Sequence, residues 1–293
     1  MDWLPPFLLP MSQTAPVAQG AADVPAALFW ALAGPTGLGW TLTYVLAIRQ
    51  AVRDGRVGIP AYMIAVNFAW EFSLTFLLEQ TPSQRQMNVL WVLFNSVLLY
   101  QAFRYGRRDH PGLSPRAFRW SLCGVLVWAS VTVTAGANEF HDMDGMYTGM
   151  IIQVPLSAAF LLMLRRRGSS AGQSMYIAVA KFTGSVFAGL TAFVVHPSHL
   201  LLKVLVATYV ALDVAYMVRL RRTMRAEGRP LWSRYARPAE QVTAAGGPDG
   251  AGGARSGGTG AADANGTSGT SGTSGTSGTS GTSGTNDGRT TVR

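Results

Sequence analysis

The chain has 293 residues, of which 13% are charged and 48% hydrophobic, and its formal net charge is +9. A water-soluble domain of this size carries about 25% charged residues, so the composition argues against an ordinary soluble fold. The positive charge lies in arginines at the ends of apolar runs and in alternate loops, which is a membrane-orientation pattern and not a nucleic-acid-binding patch.

Residues 1–25, with several prolines and no basic start, are expected to be an external lead-in and not a signal peptide. Seven stretches then approach the roughly 20 apolar residues that a spanning helix needs: 26–48, 60–78, 87–103, 117–135, 146–164, 175–195 and 199–220. Pro35 in the first and Pro155 in the fifth are expected to bend their helices by removing a backbone donor. Residues 26–222 are thus expected to form an all-α membrane domain, a seven-transmembrane-helix bundle. A basic segment, 223–237, follows on the cytoplasmic side. The Thr-Ser-Gly-rich stretch 238–293 has too little apolar surface to offset its ordering entropy and is expected to be a disordered tail.

Arginines cluster between stretches one and two, three and four, five and six, and after the seventh. The opposite loops hold little more than Arg85 and Lys203, and Glu139, Asp142 and Asp144 make one of them acidic. The positive side faces the cytoplasm, which places the amino terminus outside and the carboxyl terminus inside a multi-pass protein. The single cysteine, Cys123, forms no internal disulfide.

Two carboxylates fall well inside predicted spans, Glu71 in the second and Asp213 in the seventh. Placing a charge near the centre of a bilayer costs at least about 2.5 kcal/mol, so such residues face a cavity or a partner. At 1.5 Å per residue, Glu71 lies about 16 Å and Asp213 about 10 Å from the cytoplasmic ends of their helices, depths at which they are expected to meet across one cavity. Asn67 lies one turn before Glu71, with Trp70 beside it; Tyr209 and Tyr216 flank Asp213 along one helical stripe. Burial favours the uncharged form of a carboxyl group, so the constellation is chemically suited to a buried acid donor. A polar clamp that fixes helix packing is the alternative use of the same groups.

The run Asn67-Phe68-Ala69-Trp70-Glu71 resembles the Asn-x-x-Trp-Glu motif of the integral-membrane terpene cyclases of fungal meroterpenoid, paxilline-type indole diterpene and bacterial drimentine-type biosynthesis. Three further stretches fit: Gly149 to Ser157 with Gln153, Lys181-Phe182-Thr183-Gly184, and Asp213-Val214-Ala215-Tyr216. The family commonly has an aromatic residue where Lys181 stands. The resemblance implies a metal-independent cyclase of isomerase or lyase type, with Glu71 and Asp213 as catalytic residues. Glu71 is then the leading proton donor, and Asp213 its partner, an alternative donor or a cation stabiliser. Asn67, Trp70, Gln153, Tyr209 and Tyr216 are the expected substrate-binding residues, and Trp91 and Trp128 further aromatic candidates for facing a carbocation. The implied substrate is a lipophilic aromatic or indole compound with a farnesyl or geranylgeranyl chain, protonated at a terminal epoxide or alkene. An upstream prenyltransferase or epoxidase of the same pathway is an expected partner.

No cofactor or metal is expected, because Asp142-Met143-Asp144 stands in a short external loop without a second acidic cluster. His196 and His199 are expected at the membrane interface. The main rival is a proton-coupled small-solute transporter using the same carboxylates, although stretches one to three and five to seven show no repeat. The preference for Arg over Lys and the Ala and Gly richness fit a high-GC bacterial genome and so a bacterial cell membrane.

Overall fold

A computed structural model describes residues 24–232. The lead-in as far as residue 23, the last five residues of the basic segment, 233–237, and the tail at 238–293 lie outside the described residues. The long helices are α1 (Ala26–Asp54), α2 (Ala61–Phe72), α3 (Pro82–Tyr105), α4 (Pro115–Glu139), α5 (Met146–Arg167), α6 (Met175–Val195) and α7 (Leu200–Ala226). Each overlaps one of the apolar stretches. In an apolar layer the backbone has to satisfy its own hydrogen bonds, and a continuous helix does this for every interior residue.

Five helices, α1 and α4 to α7, are long and apolar enough to cross a membrane. The other two differ for identifiable reasons. α2 continues as a π-helix over Ser73–Leu77, and the apolar run Ala61–Leu77 is therefore 17 residues, about 25 Å at helical rise. α3 has the length, but it buries Asn88, Asn95 and Gln101. It also begins at Pro82, five residues before the predicted 87, because proline suits a first helical turn and Gln80, Gln84 and Asn88 are linked by side-chain hydrogen bonds. α1 and α5 run through Pro35 and Pro155. α4 and α6 start under side-chain caps: Ser114 accepts from Ala117 N and Ser174 from Ile177 N.

α1 packs along α6 more extensively than any other pair, α5 along α7, and α2 against both α3 and α4. Small residues permit these approaches, as is usual where helices gain nothing from hiding apolar surface from lipid. A Cβ on Gly39 would stand 2.5 Å from the backbone nitrogen of Gly184, so the α1 and α6 backbones meet there directly. Ala47, Ala51, Ala65, Ala69 and Ala178 are completely or almost completely buried. Leu38, Leu93, Trp128 and Leu200 face outward.

The arginine-rich end is closed by polar contacts. Arg167 binds Asp109 through two nitrogens, at 2.7 and 2.5 Å, and donates to the carbonyls of Val57 and Ala171. Asp54 accepts from Gly172 N and Gln50, and Glu227 accepts from Ser170 N and the Ser170 hydroxyl.

Gly39→Ala forces the α1 and α6 backbones apart and is expected to destabilise the protein by about 1–3 kcal/mol, the usual range for overpacking. Gly124→Ala in the interior of α4 meets nothing within 4 Å and is expected to leave stability unchanged or slightly improved. Thermal unfolding of both variants in detergent checks the contrast.

Candidate active site

A cavity of about 620 Å³ lies between α1, α2, α3, α5 and α6. Its deep part is bordered by Trp40, Tyr44, Asn67, Trp70, Glu71, Trp91 and Gln153, and its other end by Glu79, Thr81, His196 and residues 140–147 of the α4–α5 connection. None of the arginine clusters borders it. The volume falls within the ~300–1,000 Å³ usual for small-molecule sites.

Glu71 is fully buried in this wall, on the last α-helical turn before the π-helix. Its Oε1 accepts from the Tyr44 hydroxyl at 2.6 Å and from Asn67 Nδ2 at 3.0 Å, and its Oε2 accepts from Asn95 Nδ2 at 2.9 Å. Asn67 Nδ2 also reaches the Tyr44 oxygen at 2.6 Å. Asn67 lies one turn before Glu71, as helical spacing requires, whereas Tyr44 and Asn95 come from α1 and α3. Sequence reasoning missed both. An isolated amide midway along the third apolar stretch was the available signal for Asn95; Tyr44 carried none, since tyrosine is ordinary in membrane helices.

Trp70 is fixed from outside its own helix. Its indole Nε1 donates to Thr148 Oγ1 at 3.0 Å, and that hydroxyl donates to Asp142 Oδ2 at 2.9 Å. Asp142 Oδ2 also accepts from Thr148 N at 2.7 Å, capping the start of α5. The indole rim lies over Gly145 and Gly149, where a Cβ would stand 2.6 and 3.1 Å from Trp70 Cζ2. Gly145 has φ +75°, so a side chain there would be strained as well as obstructed. Burial raises the Asp142 carboxyl above its usual pKa, against the lowering effect of its hydrogen bonds from Thr148 and its neighbours. The acidic loop residue is thus a helix cap that positions an indole. Among the described residues, no group of three His, Cys, Asp or Glu side chains is placed to hold a metal ion.

Of the other expected substrate-binding residues, Gln153 borders the cavity, and its Oε1 is buried without a hydrogen-bond partner. His196 also borders it, stacked on His199 with ring centroids 4.7 Å apart. The expected meeting of Glu71 and Asp213 is not found. Asp213 faces Lys181 Nζ with both oxygens, at 2.6 and 2.8 Å, and none of Asp213, Tyr209 and Tyr216 borders the cavity. Depth along a helix axis says nothing about the direction a side chain takes around it, and that direction separates the two carboxylates. Tyr209 donates to the Ser185 carbonyl and ties α7 to α6, and Tyr216 donates to Gln173 and ties α7 to the α5–α6 connection. Trp128 is 65% exposed on the outer surface and does not border this cavity.

Residues 21–226 match the family described as Pyr4-like transmembrane terpene cyclases. The Pyr4-family terpene cyclase mfmH of Annulohypoxylon moriforme is 29% identical over 163 residues, covering 53% of this chain and 66% of that protein. Terpene cyclase dpasB of Apiospora sacchari is 29% identical over 153 residues, 50% of this chain and 63% of that protein. Terpene cyclase cle7 of Aspergillus versicolor is 26% identical over 216 residues, 66% of this chain and 86% of that protein. The chain spans just under two thirds of the length of the first two relatives. No solved structure matches.

Thr148→Val removes the hydroxyl between Asp142 and the Trp70 indole and leaves both partners short of one bond. It is expected to lower stability by about 1–3 kcal/mol, with Thr148→Ser retaining most of it. Thermal unfolding of the two variants, compared with Asp142→Asn, tests the linkage.

Proposed function

The chain belongs to the Pyr4-like transmembrane terpene cyclases, and on that premise we propose that it is a membrane-embedded, acid-initiated cyclase of prenylated aromatic or indole compounds. As a member of that family, with several long apolar helices, it is an integral membrane protein. The observation that carries the reading is a fully buried carboxyl group, Glu71, held by three donors in the wall of a cavity lined largely by aromatic and apolar side chains. The family assignment favours this reading over a proton-coupled transporter.

In the proposed reaction, the Glu71 O–H bond breaks and its proton passes to a terminal epoxide oxygen or alkene carbon of the prenyl chain. For an epoxide, the C–O bond opens and its electron pair stays on oxygen. Successive alkene π bonds then attack the cationic carbon to close rings. Loss of a proton, or capture by a nucleophile of the substrate itself, ends the sequence. As the proton leaves, Tyr44, Asn67 and Asn95 are already aimed at the oxygens that take up negative charge, so no reorganisation is needed. Trp40, Trp70 and Trp91 present ring systems to the cavity, where a travelling cation is stabilised by their π faces. Gln153, with its unpartnered carbonyl oxygen, is the proposed acceptor for a polar hydrogen of the substrate.

The proposed topology has seven crossings, with the amino terminus outside and the carboxyl terminus in the cytoplasm. The alternation of the arginine clusters supports it. A prenyltransferase or epoxidase acting earlier on the same substrate fits the chemistry. A bacterial host rests on composition alone, and the fungal relatives lend it no support.

Incubation of membranes containing the protein with epoxidised farnesyl and geranylgeranyl aromatic compounds tests the reading. Cyclised product is expected with or without chelator, and with the corresponding alkene substrates in heavy water one deuterium is expected on the protonated carbon. Glu71→Gln is expected to lower turnover about a hundredfold to ten-thousandfold, the usual worth of a general acid. Tyr44→Phe is expected to cost about tenfold or more by removing one donor to the developing carboxylate. Full activity of Glu71→Gln, or a requirement for magnesium, would falsify the proposal.

A further inference from the structure

Lys181 and Asp213 form a buried ion pair in the same bundle as Glu71, yet away from the cavity. Their side chains are 1% and 3% exposed, and Lys181 Nζ makes three hydrogen bonds: 2.6 and 2.8 Å to the two oxygens of Asp213, and 2.9 Å to Ser157 Oγ. The pair and its serine join α5, α6 and α7. Neither Lys181 nor Asp213 borders the cavity, and α7 contributes no residue to its wall.

The ammonium group reaches the cavity through another side chain. Lys181 Nζ lies 5.8 Å from the ring centroid of Trp40, within cation–π range, and 5.5 Å from that of Phe160. One turn further along α6, Gly184 packs on the same indole: a Cβ there would stand 2.8 Å from Trp40 Cδ1. Trp40 is therefore seated by Lys181 and Gly184 and presents its remaining surface to the cavity. The Trp40 ring contacts that of Tyr44, one turn on in α1, at a centroid separation of 5.8 Å, and Tyr44 donates to Glu71. A continuous series of contacts thus runs from Asp213 through Lys181, Trp40 and Tyr44 to the acid.

We infer that Asp213 gives no proton to the substrate in this chain and instead acts with Lys181 as an ion-pair brace that seats Trp40, and through it Tyr44, against Glu71. The inference rests on the proposed cyclase reading for its effect on turnover. A carboxylate with both oxygens on one ammonium group and no face on the cavity is placed to hold that cation, not to reach a reacting carbon. The brace also accounts for the chemistry of a lysine in an apolar helix. An unpaired ammonium group there is costly, and Asp213 with Ser157 satisfies all three of its donors.

Removing one partner of a buried pair leaves an uncompensated charge, whereas removing both leaves none. The test therefore compares wild type, Asp213→Asn, Lys181→Met and the double variant, each for thermal midpoint, turnover and the pH profile of kcat/KM. Each single variant is expected to lose roughly a hundredfold in turnover and to unfold at a lower temperature, and the double to recover to within about tenfold of wild type with an unshifted pH profile. If the double variant does not fold, the exchanged pair, Lys181→Asp with Asp213→Lys, keeps the brace and moves the carboxylate to α6; it is expected to be active. A folded double or exchanged variant as inactive as Asp213→Asn would overturn the inference, as would an Asp213→Asn protein with wild-type turnover and midpoint. If wild type makes no cyclised product from any substrate offered, the cyclase reading fails instead. The brace is then judged by thermal midpoints alone: losses in the single variants that cancel in the double support it, and additive losses overturn it.

Discussion

A carboxyl group kept deep among apolar helices must be satisfied by the protein, because no solvent is there to do it. Glu71 meets that requirement with donors from three helices: Asn67 on its own, Tyr44 on α1 and Asn95 on α3. Those contacts fix how α1, α2 and α3 are arranged around the cavity. They also leave the carboxyl group pre-oriented: in the proposed reaction the donors that satisfy its oxygens in the resting protein stabilise the charge those oxygens take up when the proton departs.

Close approach of backbones does the rest of the positioning. Gly39 and Gly184 let α1 and α6 touch, which brings Trp40 onto α6. Gly145 and Gly149 leave a bare surface at the start of α5 on which Trp70 lies, and Thr148 between them accepts its N–H. Two of the cavity's indoles are thus set by glycines on neighbouring helices. An aromatic wall of this kind has a defined shape, and that shape depends on small residues: Gly39 and Gly184 lie outside the cavity, and Gly145 and Gly149 are on its border.

The polar groups of the bundle divide into two sets. Glu71, Tyr44 and Asn67 border the cavity. Asp213, Lys181, Ser157, Tyr209 and Tyr216 are enclosed between helices, each with a partner of its own. Helix packing in lipid draws on interhelical hydrogen bonds, and the second set supplies them where α5, α6 and α7 converge.

Composition and the spacing of apolar runs were enough to determine an all-helical membrane protein and to locate its helices, because burial of twenty-odd apolar residues in a row has one economical backbone solution. The helical neighbours of Glu71 were equally legible, since a period of 3.6 residues places Asn67 on its face. Helix ends were less so: α3 begins at Pro82 and α7 continues through Arg225, where polar side chains extend a helix that hydropathy alone would stop. Only the tertiary structure decided which residues meet across helices. Tyr44 and Asn95 reach Glu71, Lys181 claims Asp213, and Asp142 positions Trp70 by way of Thr148. Rotation of one helix about its axis against another is set by interlocking side chains and glycine contacts distributed over the whole bundle, and no local stretch of sequence contains it.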